Sequence, residues 1–152
     1  MTTDHKFWAK VDKSSDCWLW TGCVGENGYG QVRRNKRIIK AHRWSYELEI
    51  GPIPEGFVVD HQCFNRACVN PSHLRAITQK ENTENRHTVS SSSGVRGVSW
   101  HPECRKWAGF VKHNYKSIYV GVFPSIAEAE AAVIAKRNEL FTHNDLDRSI
   151  PA

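Results

Sequence analysis

The sequence lacks any apolar stretch long enough to cross a membrane. Its first residues, MTTDHKFWAKVDKSSDCWLW, also lack the apolar segment of a secretory signal peptide. These absences exclude a membrane-spanning protein and a secreted one recognised by such a signal. We therefore expect no membrane partner and a cytoplasmic location.

Cysteine is scarce, with 5 residues, and the count is odd. Thiols stay reduced in the cytoplasm, because the glutathione pool keeps them so. Both facts argue against a framework of disulfide bonds. Metal binding is therefore the leading use for these cysteines.

Acidic residues are outnumbered, 16 Asp and Glu against 21 Lys and Arg, which gives a net charge of +5. This balance indicates a polyanionic partner. The Lys and Arg are concentrated in residues 33–43, RRNKRIIKAHR, and in residues 94–123, a distribution typical of phosphate-binding surfaces. The aromatic residues, with 6 Trp, 6 Phe and 4 Tyr, favour a folded protein over a disordered one.

One boundary divides the sequence. Residues 88–93, TVSSSS, are low in complexity and predict a flexible linker between residues 1–87 and residues 94–152. In the first region, residues 3–12 predict a short helix that includes Val11, and HRWSYELEIG predicts a helix that ends at Gly51. FVVDH and LRAIT predict two strands around the loop QCFNRACVNPSH, followed by a helix that opens with a capping box.

The second region has a different pattern. GVRGVSW, RKWAGFVKH and SIYVGVF are rich in Val and aromatic residues and predict a three-stranded antiparallel sheet. Ser125 and Glu128 predict a capping box at the start of a helix. The apolar stripe of that helix should cover one face of the sheet, and its members are Ile126, Ala129, Val133 and Leu140. The fold class is therefore α+β.

Three residues with the chemistry of zinc ligands share one loop. Cys63, Cys68 and His73 are spaced C-x4-C-x4-H, and zinc takes thiolate and imidazole ligands in a tetrahedron. A fourth ligand must come from elsewhere in the chain. Cys17 is the preferred candidate and Cys23 is the alternative, whereas Cys104 is interpreted as a bystander.

A second group has the chemistry of phosphodiester hydrolysis. His61 ends an apolar strand directly after Asp60, and Asn82 lies early in the following helix. Asp60 and Asn82 offer hard oxygen ligands suited to Mg²⁺. Neutral His61 would take the proton of the attacking water.

The segment HRWSYELEIGPIPEGFVVDHQCFNRACVNPSHLRAITQKENTENR resembles HNH nucleases, particularly the His-Cys box homing endonucleases with a ββα-metal core. His61, Cys63, Cys68, His73 and Asn82 match that group's series in order and spacing. The resemblance implies that His61 is the general base, that Asn82 binds the catalytic divalent ion, and that the Cys and His residues bind a structural zinc. It implies cleavage of double-stranded DNA by a homing-type enzyme of a phage or intron.

Some features of the group are left open here. Asp60 resembles the aspartate that other HNH homing enzymes place before the base as a metal ligand. The asparagine that names the HNH motif corresponds either to His73 or to Asn70. No cysteines remain for the second zinc cluster of some His-Cys box enzymes, so monomer and homodimer both stay open. An arginine from the preceding strands often contacts the cleaved phosphate in this group, and the candidates are Arg33, Arg34, Arg37 and Arg43.

Residues 94–143 resemble the ethylene-response-factor type of DNA-binding domain. In that family the sheet enters the major groove with the face opposite the helix. By position, the resemblance places Arg96, Ser99, His101, Lys112 and Tyr119 towards DNA, with Arg105 and Lys106 as phosphate contacts. Ser99 and His101 replace positions that are usually Arg, so the family's usual target is not expected. The buried positions would be Val98, Trp107, Val111 and Phe123.

A second hypothesis is a zinc-stabilised DNA-binding regulator with a degenerate nuclease fold. Such a regulator would not need both His61 and Asn82. Their joint presence therefore favours the enzyme.

Overall fold

The computed structural model describes residues 3–86, 89 and 91–149. The chain divides into two units, Met1–Gln79 and Lys80–Ala152. The helices are α1 (Thr3–Trp8), α2 (Ala41–Glu49), α3 (Gln79–Glu84), α4 (Ile126–Leu140) and α5 (Asp145–Ser149), and Pro71–His73 forms a 3-10 turn. The strands are β1 (Val11–Asp12), β2 (Leu19–Trp20), β3 (Gln31–Arg34), β4 (Arg37–Lys40), β5 (Phe57–His61), β6 (Leu74–Thr78), β7 (Val98–His101), β8 (Lys106–His113) and β9 (Lys116–Phe123).

Every sheet described is antiparallel. In the first unit β1 pairs with β2, β3 with β4, and β5 with β6. In the second unit β7, β8 and β9 form one sheet in sequence order, and α4 packs on it. The α+β class and the predicted sheet packed on one helix are confirmed.

Aromatic side chains build the core of the first unit. Phe7 and Trp20 stack with ring centroids 5.0 Å apart, and both are buried together with Ala41, Trp44 and Val69. Strands of two to five residues bury little aliphatic surface, so large rings supply most of the packing. This core places α2 against the loop between β5 and β6, because the buried Ser45 hydroxyl donates to the carbonyl of Val69 at 2.5 Å.

The N-terminal helix is shorter than predicted. It ends at Trp8, and Val11 lies in β1, where it pairs with Trp20. The backbone N–H of Thr21 donates to the carbonyl of Lys10 at 2.9 Å. This pairing within the first unit overrides a helical tendency that a short segment expresses only weakly.

Two hairpins turn through residues with left-handed backbone. Asn35 and Lys36 have φ of 47° and 63° between β3 and β4, and Asn114 and Tyr115 have φ of 48° and 63° between β8 and β9. Two successive positive φ values are typical of the type I′ turn, whose twist matches that of paired strands. Asn at the first turn position tolerates this conformation better than most residues do.

The second unit is organised around α4. Ser125 caps this helix, since its hydroxyl accepts from the N–H of Glu128 at 3.2 Å, as the capping pattern predicted. The buried side chains of Val98, Val111, Ala129, Val133 and Phe141 form the core between helix and sheet.

The predicted linker is only partly described, since Thr88 and Ser90 lie outside the described residues. The Ser91 hydroxyl donates to the carbonyl of Val95, and the Ser93 hydroxyl donates to that of Val98, both at 2.7 Å. The domain boundary at residues 88–93 stays a prediction. Among the described residues, no helix is both long and apolar enough to cross a membrane.

Candidate active site and metal centre

Four side chains with metal-binding atoms meet in the first unit: Cys17, Cys63, Cys68 and His73. Their ligand atoms all lie within 4.8 Å of one another. His73 Nδ1 lies 3.7 Å from Cys17 Sγ and 3.6 Å from Cys68 Sγ. A tetrahedral zinc with bonds of about 2.3 Å to sulfur and about 2.0 Å to nitrogen holds such atoms about 3.5 Å apart. The donor set and its spacing therefore fit a zinc ion.

Backbone pairing carries Cys17 to a loop that is distant in sequence. The N–H of Val69 donates to the carbonyl of Trp18 at 2.8 Å, and the segment there runs antiparallel to the end of the loop. Cys17 therefore lies beside Cys68. Cys23, the alternative fourth ligand, is exposed and is not a member of the cluster.

Polar contacts orient the histidine of the cluster. His73 Nε2 lies 3.2 Å from a carboxylate oxygen of Asp16, so the imidazole can present Nδ1 to a metal. A carboxylate behind a ligating histidine is a recurrent feature of zinc sites. Asn70 donates to the carbonyl of Asp16 at 2.8 Å and caps the 3-10 turn by accepting from the N–H of Ser72. Of the two positions considered for the HNH asparagine, His73 thus belongs to the cluster and Asn70 supports the loop.

The thiols of the cluster are costly to ionise without a cation. Burial raises the pKa of the Cys63 thiol and raises the pKa of Cys68 to about 12. Zinc binds thiolates, and its charge offsets this cost. The buried position of Cys68 is therefore compatible with a metal centre and unsuited to a reactive free thiol.

His61 is buried at the end of β5, and its ring is fixed by one backbone contact. His61 Nε2 lies 2.9 Å from the carbonyl oxygen of Cys68. A carbonyl only accepts, so Nε2 carries the proton and the neutral ring keeps its lone pair on Nδ1. Burial lowers the pKa of His61, partly opposed by this hydrogen bond and by Asp60. The geometry favours a neutral imidazole that can accept a proton.

Two further rings surround His61. The His42 ring centroid lies 4.6 Å from that of His61, and the Tyr29 centroid lies 6.0 Å from it. His42 Nδ1 is buried and, within the described residues, has no hydrogen-bond partner. Burial first, and then the charges of His61, Lys40 and Arg43, lower the pKa of His42 to about 2. Sequence reasoning missed His42 and Tyr29, and the only available signal was a histidine inside the basic segment of residues 33–43.

The two residues predicted to hold the catalytic ion have different surroundings. Asp60 precedes His61 in β5, and its Oδ2 accepts from Arg75 Nε at 3.2 Å and from Arg75 Nη2 at 3.0 Å. Arg75 is its cross-strand partner in β6. Asn82 is half-buried in α3 and belongs to the second unit. A carboxylate and an amide oxygen suit a hard ion such as Mg²⁺.

The arginines proposed to contact the cleaved phosphate are exposed, but they are not equivalent. Arg34 lies with Cζ 3.5 Å from the centroid of the Trp44 ring, so its guanidinium covers the core of the first unit. Arg33 lies in β3 opposite Ile38, and Arg37 begins β4 directly after the hairpin turn. Arg43 lies on α2, where its charge acts on His42.

The outer face of the sheet in the second unit carries most of the residues predicted to face DNA. Ser99, Lys112 and Tyr119 are exposed, and so are Arg105 and Lys106 at the β7–β8 connection. His101 is half-buried, and its Nδ1 accepts from the N–H of Cys104 at 3.4 Å. The residues predicted to pack inside do so: Val98 and Val111 are buried, and Trp107 and Phe123 pack against them.

Arg96 makes contacts within its own unit that the sequence did not predict. Its guanidinium donates to the carbonyls of Glu84 at 2.9 Å and Arg86 at 2.7 Å, at the end of α3. The last carbonyls of a helix have no partner within the helix, and a cationic donor there satisfies them. The Arg96 guanidinium is therefore engaged with the backbone of its own unit, and its contact with DNA stays a prediction.

Comparisons with known proteins place residues 40–84 in a family described as HNH endonuclease. Protein 7.7 of Escherichia phage T7 is 45% identical over 69 residues, which are 45% of this chain and 53% of that protein, so the match spans about half its length. Protein 3.8 of the same phage is 36% identical over 91 residues, 54% of this chain and 75% of that protein. An uncharacterised HNH endonuclease of Acanthamoeba polyphaga mimivirus is 36% identical over 77 residues, 50% of this chain and 41% of that protein. No solved structure matches the chain.

Proposed function

Residues 40–84 match the HNH endonuclease family, and from this premise we propose that the chain is a metal-dependent endonuclease that hydrolyses phosphodiester bonds in double-stranded DNA. The observation that carries the proposal is the state of His61. This ring is buried, its Nε2–H is held by the carbonyl of Cys68, and its Nδ1 is left as the basic atom.

In the proposed reaction, Nδ1 of His61 accepts a proton from a water molecule as the water oxygen bonds to phosphorus. The bond between phosphorus and the leaving sugar oxygen then breaks, and that oxygen takes a proton from solvent. A neutral base is required for this step, and burial of His61 favours the neutral ring. The contact to Cys68 holds the ring against rotation during the transfer.

Asp60 and Asn82 are the residues that would hold the catalytic divalent ion, with Mg²⁺ as the proposed species. When bound, the ion would stabilise negative charge on the phosphate oxygens. Arg75 orients the Asp60 carboxylate through its contacts to Oδ2. The role of Asn82 is supported by its place in the series that begins at His61 and by the oxygen donor that its amide offers.

The structural ion is proposed to be zinc, held by Cys17, Cys63, Cys68 and His73. Its role would be to order the loop between β5 and β6. That loop also supplies the carbonyl that orients His61. Cleavage is therefore expected to depend on two metals with different tasks.

The second unit is proposed to be the DNA-reading module, of the ethylene-response-factor type, and the enzyme to be a site-directed homing-type nuclease. The support is an exposed sheet face opposite the helix with cationic and hydrogen-bonding side chains. Contacts to phosphate fix the register of a protein on the DNA duplex, and contacts to base edges determine which sequence it recognises. The residues proposed for this role are Arg96, Ser99, His101, Arg105, Lys106, Lys112 and Tyr119.

The proposal is tested by incubating the protein with supercoiled plasmid and Mg²⁺. We expect nicked or linear product, loss of product with a chelator, and loss of product in His61→Ala. His5→Ala is the matched control, because His5 is exposed on α1. Equal nicking by wild type and His61→Ala would show that His61 is not the base, and binding without any nicking would favour the regulator.

A further inference from the structure

Two cations from separate segments are held against one aromatic ring in the first unit. Lys40 Nζ, at the end of β4, lies 4.2 Å from the centroid of the Tyr29 ring. Arg66 Cζ, in the loop between Cys63 and Cys68, lies 5.5 Å from the same centroid. The Tyr29 ring is in turn a neighbour of the His61 ring. Both cations are exposed to solvent, so a ligand can reach them.

These cations are not balanced by acidic partners. In the part of the chain that the structure describes, neither Lys40 nor Arg66 forms an ion pair. Partial burial lowers the pKa of Lys40, and the charges of Arg43 and Arg66 lower it further. Like charges gathered without a counter-charge repel each other. An anion bound between them would relieve this repulsion.

Arg66 is held in place before any ligand arrives. Its Nη1 donates to the carbonyl of Asn27 at 3.0 Å. Its stem lies against Gly28, where a β-carbon would stand 3.6 Å from Arg66 Cδ. One edge of the guanidinium is therefore anchored, and the remaining N–H groups stay available for a planar or tetrahedral oxyanion. Gly28 has φ of 80°, which favours glycine at this contact.

We propose that Lys40 and Arg66, positioned by the Tyr29 ring, bind the phosphate of the DNA strand whose cleavage His61 is proposed to catalyse. The inference rests on the proposed nuclease function and deepens it. It assigns the phosphate contact to Lys40 and to Arg66, which lies in the loop between Cys63 and Cys68, instead of to the arginines of the β3–β4 hairpin. The ligand class is the phosphodiester of a nucleic acid backbone, which is recognised irrespective of base sequence.

The test measures binding separately from cleavage. Anisotropy of a fluorescein-labelled DNA duplex is recorded over a series of NaCl concentrations, with the full chain carrying His61→Ala. In this background we expect Lys40→Gln and Arg66→Gln each to weaken binding severalfold and to reduce the slope of log K against log salt by about 1. Lys6→Gln, an exposed cation on α1, is the matched control and should leave the slope unchanged.

Arg66→Lys separates charge from support of the loop. It keeps the cation and should restore most of the salt slope, whereas an equal loss in Arg66→Lys and Arg66→Gln would overturn the proposal. The proposal would also be overturned if the salt slopes of Lys40→Gln and Arg66→Gln equalled that of Lys6→Gln, even if the wild type nicks plasmid. If the wild type nicks nothing but both slopes fall, the phosphate site stands and the nuclease proposal fails.

Discussion

The imidazole rings of His42 and His61 are both buried, with their centroids 4.6 Å apart. Neither ring has an acidic side chain among its hydrogen-bond partners in the described residues. Two charged imidazoles at this distance would repel each other strongly in a poorly solvated setting. The pair is therefore stable only while at most one of the two rings is in the cationic imidazolium form.

His42 should make the protein sensitive to acid. Its pKa is about 2 in the folded chain and about 6.5 in the unfolded chain. Below pH 6.5 His42 binds a proton in the unfolded chain but not in the folded chain, so stability is lost as the pH falls. The expected loss is about 1.4 kcal/mol per pH unit, or about 2 kcal/mol from pH 7 to pH 5.

The measurement is the free energy of unfolding by urea at several pH values. His42→Leu should lack this part of the pH dependence, whatever its stability at pH 7. His5→Leu, at an exposed position, should keep it. Parallel pH profiles for wild type and His42→Leu would contradict a neutral, buried His42.

Removal of one cluster ligand should destabilise the first unit. Cys68→Ser is expected to abolish binding of one zinc ion per chain and to lower the free energy of unfolding by more than about 3 kcal/mol, because loss of a structural metal is among the largest single-site effects. Metal content by atomic absorption and thermal unfolding are the measurements. Cys23→Ser should retain both zinc and stability, and an equal zinc content in the two variants would refute the assigned cluster.

Two glycines of the second unit have similar backbone conformations but different surroundings, so that substituting each separates backbone strain from steric collision. Gly94 and Gly97 have φ of 72° and 84°. A β-carbon on Gly94 would meet no atom within 4 Å, whereas one on Gly97 would collide with the carbonyl oxygen of Phe110. Gly94→Ala should cost only the backbone strain, about 1 kcal/mol. Gly97→Ala should cost at least about 3 kcal/mol, since the sheet must also shift, and comparable melting temperatures would contradict this packing.

Lys112 should contribute a phosphate contact from the sheet. Lys112→Ala is expected to weaken DNA binding without regard to base sequence and to lower the salt slope by about 1. Lys136→Ala is the control on α4, where Lys136 pairs with Glu139 at 2.8 Å on the surface, a contact of small energetic value. If both variants bind alike at every salt concentration, the outer face of the sheet is not the DNA surface.

Local patterns predicted those parts of the fold that depend on local chemistry. The capping pair Ser125 and Glu128, the run of β-forming residues that becomes β8 and the C-x4-C-x4-H spacing are all short-range patterns. Cys17 could be predicted as the fourth zinc ligand from the sequence only because the chain has few other cysteines.

The missed features depend on packing between segments that are remote in sequence. Tyr29 lies in the loop before β3, Lys40 lies at the end of β4, and Arg66 lies in the loop between Cys63 and Cys68. No periodicity in the sequence links these three positions. Arg96 was assigned to DNA from its position in a family pattern. Its contacts with backbone carbonyls were not predicted, and they arise because a helix of six residues ends nearby with carbonyls that lack partners within the helix.

Cys68 contributes its thiol to the cluster and its carbonyl to His61. A protein engineer who replaced the proposed zinc with extra apolar packing would recover a folded domain but would not automatically recover the proposed activity. The direction of one peptide group would still have to be reproduced. Folding without the proposed metal and cleavage of DNA are thus separate design targets, and each would need a screen of its own.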